Sequence, residues 1–482
     1  MFFTCRCFLL VYLSFICVVQ NLYAQQDSTS IEKTASILPA AEADSLGSLV
    51  MVGNITILGY KKTKEYIIQR EIPFKQGDYM LKSTLKEKLE LARQQLMNTT
   101  LFVDVEVTAK YAEEVAFVQV VVKERWYLFP LPYFKIVGRN FNDWWVEHNR
   151  SLQRVNYGIK FMQNNVSGRN DHLNFALVAG YTQQVYIRYE NPFIEKSLKH
   201  GMSIGVSYNR NREVNYADSM NKQLFVRNPD AFLNRSFHID VGYSYRPAIK
   251  TRHHFRVQYN DVEIDDTILE KNPAYHPEGR KRIKYSGFSY SIQHFDVDYI
   301  PYPTRGFMGD AYASTRFSKD FLGQIGFRGT FTKEVFTTSY LQFQAAGLLK
   351  MPFNQAYYSL GMFGSADFYM RGLEPYVIQG VFGGVARATA IKKVLAFNIK
   401  NPINTKTHDK IPFRFMLKAY GDVGYAHLPN RYVGNSMLNN KILRTWGAGV
   451  DILSIYDMVL KIEYSFNQLG ERGFFIHTAA DF

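Results

Sequence analysis

Residues 201–208 read Gly-Met-Ser-Ile-Gly-Val-Ser-Tyr, in which Met202, Ile204, Val206 and Tyr208 alternate with Ser203, Gly205 and Ser207. A period of two puts the large apolar side chains on one face of a strand and the small polar ones on the other. The pattern returns at Leu341, Phe343 and Ala345 between Gln342 and Gln344. It returns again at Leu460, Ile462, Tyr464 and Phe466 between Lys461, Glu463 and Ser465. One face suits lipid and the other water. From Trp126 the period persists to the end of the chain, and strands are expected to start near residues 126, 153, 172, 184, 201, 235, 253, 284, 306, 339, 356, 385, 412, 444, 458 and 473. That is sixteen, an even count as bacterial barrels have. A soluble sandwich would need a second sheet over its outward rings, and the run from 126 to 482 is long for that. The expected fold class is mainly β, a transmembrane sixteen-stranded antiparallel β-barrel over residues 126–482.

Composition agrees. Aromatics make up 15% of the 482 residues, with 33 Tyr and 37 Phe, yet mean hydropathy is only −0.21. Beyond the N-terminus no apolar run approaches the ~18 residues of a helical span. The formal charge of +14 has no basic helix or stripe to concentrate it, so membrane phosphates are expected partners and nucleic acid is not. Residues 1–24 read as a secretory signal peptide, with Arg6, an apolar run from Phe8 to Val19, and small Ala24 at the cleavage point. Cys5, Cys7 and Cys17 all fall inside it, which removes cysteine chemistry from the mature chain. Residues 25–50 are rich in Ser, Ala, Glu and Asp without a period and read as a linker.

Between linker and barrel, Asn54 to Gly59 reads as a strand and Thr63 to Glu71 as a helix with Thr63 as N-cap. Gly77-Asp78 reads as a turn, and Ser83 as the cap of a second helix carrying Leu85, Leu89, Ala92 and Leu96. Leu101–Val107 and Val115–Val122 follow as two strands. The βααββ order, the Gly59 after strand one, the Gly77-Asp78 turn and the Leu101-Phe102-Val103-Asp104-Val105 entry resemble a POTRA domain, here residues 51–125. That resemblance implies a small α+β periplasmic module whose sheet edge can add a client strand. A spacer that binds nothing is the alternative.

No HExxH, Walker loop or GxSxG elbow occurs, and the eleven histidines are scattered. His172, His253 and His254 are expected in lumen or interface positions, so no catalytic residue, cofactor or metal site is expected and the chain is not read as an enzyme. The stretch 365–384 sets Arg371-Gly372-Leu373 among Gly380, Gly383 and Gly384. An ordered loop inside the barrel and a plain surface loop both fit it, and strand counting places it on the long-loop, outer side. Short turns are expected at Arg246 to Arg252, Tyr299 to Arg305, Met351 to Gln355 and Ser454 to Asp457.

Several motifs occur in one order: Asn191-Pro192-Phe193, Tyr302-Pro303-Thr304-Arg305-Gly306, Met370-Arg371-Gly372-Leu373, Gly383-Gly384 and Tyr420-Gly421-Asp422-Val423-Gly424, with a terminal Phe482. Together they resemble the BamA/TamA outer-membrane assembly superfamily. The resemblance implies that Arg371 folds into the lumen and pairs with Asp422. It also puts Asn398 where a strand-twelve glutamate is common, leaving Asn398 as a second, uncharged partner, and Leu373 where an aromatic is usual. It implies the outer membrane of a Gram-negative bacterium with the POTRA domain in the periplasm. The implied partners are unfolded outer-membrane protein clients, outer-membrane lipid and accessory periplasmic or lipoprotein subunits. Protein assembly, insertion or translocation is the function implied; a dedicated exporter of one partner or lipid, and a passive pore or surface antigen, are the alternatives. Pro130 and Pro132 in the first strand lack N–H donors, so a seam with the last strand, at Phe475 and Phe482, would be easy to open. A first strand that begins after Pro132, with an ordinary seam, is the other reading.

Overall fold

The computed structural model describes residues 47–136, 155–195, 197–318, 321–363, 369–400, 410–429 and 436–479. The expected signal peptide, most of the linker and Phe482 lie outside these residues. The chain divides into two compact units whose boundary runs through the N-terminal module. Ile57–Ile72 and Arg93–Glu106 belong with Val121–Phe482, while Pro73–Ala92, Val107–Val120 and the described part of Met1–Thr56 form the other unit.

The module runs β1 (Leu49–Leu58), α1 (Glu65–Gln69), β2 (Tyr79–Leu81), α2 (Lys82–Met97), β3 (Phe102–Ala112) and β4 (Val115–Glu124), in a sheet of order β2-β1-β4-β3. The expected βααββ order holds with β2 added, a strand of three residues that is too short to show a period. Helix α2 buries Leu85, Ala92 and Leu96 at helical spacing. Two caps differ from expectation. The N-cap of α1 is Lys64, without a side-chain bond, and Ser83 lies inside α2 rather than before it. Thr63 has other work, because its hydroxyl accepts from Asn165 Nδ2 at 2.9 Å and bonds the Tyr127 hydroxyl at 3.1 Å. Gly59 sits at φ +90°, where an added Cβ would lie 2.1 Å from the Val122 carbonyl oxygen, so only glycine fits.

The barrel strands are β5 (Leu128–Ile136), β6 (Val155–Asn164), β7 (His172–Gly180), β8 (Thr182–Asn191), β9 (His200–Asn211), β12 (Asn234–Tyr245), β13 (Thr251–Ile264), β14 (Arg282–Val297), β15 (Gly306–Phe317), β16 (Leu322–Phe336), β17 (Ser339–Met351), β20 (Phe382–Lys400), β21 (Lys410–His427), β22 (Ile442–Leu453), β23 (Val459–Asn467) and β24 (Arg472–Ala479). They form one sixteen-stranded antiparallel sheet in chain order. Two hairpins, β10 (Glu213–Ser219) with β11 (Lys222–Arg227) and β18 (Gly361–Phe363) with β19 (Ile378–Gln379), sit in the connections, as does the short helix α3 (Asp266–Lys271). No described helix is long and apolar enough to cross a membrane, and the strands carry the outward apolar belt instead. Met202, Ile204, Tyr208, Leu341 and Phe343 are all exposed, whereas Lys418 and Glu463 are buried.

Sixteen is the expected number, reached through two compensating errors. The strand expected from residue 356 is a single turn, Tyr357–Ser359, followed by β18, all inside the connection 352–381. The overlooked strand is β16, which follows β15 after a connection of 318–321. Met351 to Gln355 therefore opens a long connection, and the short turn is at 337–338, where Thr338 takes φ +66°. The first strand does contain both prolines, which corrects the reading that started it after Pro132.

Candidate functional site

Connection 352–381 carries apolar side chains that cannot be left in water. Met362, Phe363, Met370, Leu373, Tyr376 and Ile378 are buried in one cluster, joined by Val385 of β20 and Leu443 of β22. Leu373, which stands where an aromatic was expected, is 2% exposed and fills part of this core. The loop turns at Met370–Leu373, where Leu373 N–H donates to the Met370 carbonyl at 3.0 Å and Gly372 takes φ +79°. A Cβ at 372 would come within 3.0 Å of Ser465 Cβ, and the Gly372 carbonyl accepts from Asn467 Nδ2 at 2.9 Å. Glycine thus lets the loop backbone lie against the wall at β23.

Arg371 is buried against that wall. Its Nε donates to Asp422 Oδ2 at 2.9 Å, and a second guanidinium nitrogen bonds Asp422 Oδ1, giving the two-pronged fork that only arginine makes. Both terminal nitrogens also reach Thr389 Oγ1 at 3.2 Å, and the guanidinium lies 3.9 Å from the centre of the Tyr420 ring. The sheet register brings these groups together, since Thr389 pairs with Tyr420 and Arg387 with Asp422. Arg387 adds a second positive charge, 3.9 Å from Asp422. Asn398 is not part of this set: it is exposed opposite Pro412, beyond a bulge at Lys393/Leu395, and Thr389 takes the place proposed for it.

Sequence reasoning missed the lower half of the cluster. Lys418 Nζ bridges Asp451 Oδ1 at 2.5 Å and Glu463 Oε1 at 2.6 Å, and Tyr302 OH donates to Asp451 Oδ2 at 2.9 Å. Tyr420 OH meets Ser465 Oγ at 2.6 Å. Two side chains of β21 therefore reach across β22 to β23, and Gly447 and Gly449 make room for them. A Cβ on Gly447 would sit 2.6 Å from Tyr420 OH, and one on Gly449 would sit 3.2 Å from Lys418 Cε. The spaced glycines of Trp446-Gly447-Ala448-Gly449 were the available signal.

A second set of polar contacts, internal to the larger unit, joins residues 57–72, 93–106 and 121–125 to short barrel turns. Arg246 forks onto Glu71 at 2.6 and 2.8 Å, while Arg70 donates to the Leu198 and Arg246 carbonyls at 3.0 and 3.2 Å. Arg125 Nη1 donates to Asp457 Oδ2 at 2.5 Å, and Tyr299 bonds the same carboxylate. Asn98 Nδ2 donates to the Val297 carbonyl at 3.2 Å, and its Oδ1 accepts from Ile300 N–H at 3.0 Å.

The sheet ends on β5 and β24, and among the described residues no ladder joins them. Pro130 and Pro132 stand opposite Phe161 and Ile159 of β6. A ladder to β6 needs donors, so the two donor-free positions belong on the outer edge of β5. Phe475 lies on β24 opposite Glu463, on the lumen face, with Phe474 and Ile476 exposed on the other face.

The POTRA family model, described as surface antigen variable number repeat, matches residues 50–125. No curated protein matches the chain. Among solved structures, CdiB from Escherichia coli aligns with a TM-score of 0.52 at 11% identity, over 89% of this chain and 75% of that one. BamA from Haemophilus ducreyi lacking POTRA domains 1–3 aligns with a TM-score of 0.49 at 13% identity, over 89% of this chain and 84% of that one. The likeness to CdiB is one of fold, and the chain has the expected architecture of a POTRA module followed by a sixteen-stranded barrel.

Proposed function

We propose that this chain assembles or translocates proteins at the outer membrane of a Gram-negative bacterium, with its POTRA module in the periplasm and the β5/β24 edges as the working seam. The observation that carries the reading is the sheet that, among the described residues, ends on a proline-bearing first strand with no ladder to the last one. Unpaired strand edges recruit other strands, and an incoming chain can add to such an edge by main-chain bonds alone, which tolerates many sequences. The module offers a second edge, because β3 is an eleven-residue strand at the end of its sheet. No bond is made or broken in the client, so binding and strand exchange suffice without a cofactor. The clients are unfolded outer-membrane or secreted proteins, and lipid and accessory subunits are expected neighbours.

A crosslink tests the seam. Past Cys17 the chain has no cysteine, so Phe134→Cys combined with Phe474→Cys or Ile476→Cys introduces a unique pair on the outward face. Oxidation should stop client assembly and reduction restore it. Unchanged assembly with the seam locked would overturn the gate. Depletion separates the insertase from a dedicated exporter, since the first lowers many barrel proteins and the second a single cargo.

A further inference from the structure

Beside the arginine cluster, three ligand-type side chains from three elements meet: Glu374 in the connection 352–381, Glu463 on β23 and His477 on β24. His477 Nε2 lies 3.2 Å from Glu374 Oε1 and 3.6 Å from Glu463 Oε2, and the three donor atoms all lie within 4.8 Å of one another. A tetrahedral zinc ion with bonds of about 2.0–2.1 Å holds its ligand atoms about 3.3 Å apart, close to the two measured separations. Glu463 has 1% of its side chain exposed. Lys418 occupies its Oε1, while Oε2 accepts no hydrogen bond and faces the imidazole. Glu374 Oε2 is likewise buried without a hydrogen bond.

The surroundings orient these ligands as outer partners of a metal site do. Lys418 fixes the Glu463 carboxylate by its far oxygen, and the Tyr369 ring stacks on His477 at 5.0 Å between centroids. We propose that Glu374, Glu463 and His477 bind one divalent transition-metal cation of the zinc class in the lumen. One imidazole and two carboxylates suit that class, and three protein ligands leave a fourth position for water. The ion would tie the inner loop to the last strand. Sequence spacing gave no sign of it, because the ligands come from positions 374, 463 and 477 and meet only in the folded barrel.

The test uses the full chain, purified in detergent without a histidine tag and stripped with chelator. Zinc is titrated with magnesium as control, and folding is checked by heat modifiability on a gel. One saturable zinc site per chain is expected, with cobalt(II) giving the visible absorption of a four-coordinate site. His477→Gln and Glu374→Gln should each weaken zinc binding at least tenfold. Glu374 lies in the loop rather than a strand, so its variant tests the site even where His477→Gln fails to fold. Wild-type protein with no saturable zinc site, or variants that retain its full affinity, would overturn the proposal and leave an ordinary hydrogen bond between His477 and Glu374. The readout is independent of client assembly, so the seam reading and the metal site fail separately.

Discussion

Arg371 puts a full positive charge where almost no water reaches it, and Asp422 and Thr389 satisfy it atom by atom. Removing one partner of a buried ion pair leaves the other charge uncompensated, at a cost of about 3–5 kcal/mol. Arg371→Ala is therefore expected to lower the urea midpoint of the detergent-folded barrel sharply and to reduce folded yield. Arg371→Lys should fall between, because a lysine keeps the charge and loses the fork. Equal midpoints for wild type and Arg371→Ala would show the pair to be idle. Arg371 and Asp422 were legible because each sits in a short motif with glycine beside it. Thr389 was not, since a threonine in a strand carries no mark. Asn398 was misassigned because its place came from the resemblance alone: it pairs with Pro412, whereas Asp422 pairs with Arg387, so about ten residues of strand, roughly 30 Å, separate it from the cluster.

At the scale of elements, period two was enough to find most strands but not to separate β15 from β16, whose connection is short and brings no long polar stretch. The passage of β21 side chains over β22 was equally hidden, because it depends on register. Gly447→Ala should displace Tyr420 from Ser465 and destabilise the barrel by about 1–3 kcal/mol, read as a lower urea midpoint, whereas Ala at Gly361, where an added Cβ meets no atom within 4 Å, has no such neighbour to displace. The Glu71–Arg246 fork makes a parallel claim about the module. Glu71→Ala should raise amide exchange in 65–72 and in the turn 246–250, and unchanged exchange would remove the fork from the account. Glu124 adds a pH dependence. Burial pushes its carboxyl up, but the Thr63 side chain together with the backbone N–H groups of Thr63 and Lys62, which donate at 2.7 and 3.1 Å, outweighs burial and holds it below its ordinary value. A depressed value stabilises above the unfolded pKa and is lost as pH falls through the folded one. Wild type and Glu124→Gln should thus differ in urea midpoint at pH 7 and converge below the ordinary glutamate value of about 4.3.

For the whole molecule, the question that divides an assembly factor from a passive pore is whether the lumen is open, and connection 352–381 bears on it directly. Its apolar cluster is buried against β20 and β22, its arginine is forked onto β21, and Asn221 at the tip of the β10–β11 hairpin bonds it from outside, accepting Val377 N–H at 2.8 Å through its carbonyl. A loop held at so many points does not leave the lumen by thermal motion of one side chain, so the intact protein in a planar bilayer should show small, intermittent conductance. The barrel wall does not need the loop to pair β17 with β20, because Leu349 of β17 already pairs with Phe382 of β20. Replacing residues 352–379 with a short Gly-Ser turn should therefore leave a folded sheet and convert the conductance to large, steady steps, with outward detergent-facing positions such as Phe343 unaffected. If the intact chain already conducted in large, steady steps, the loop would be no plug, and the passive-pore reading would replace strand exchange at the seam.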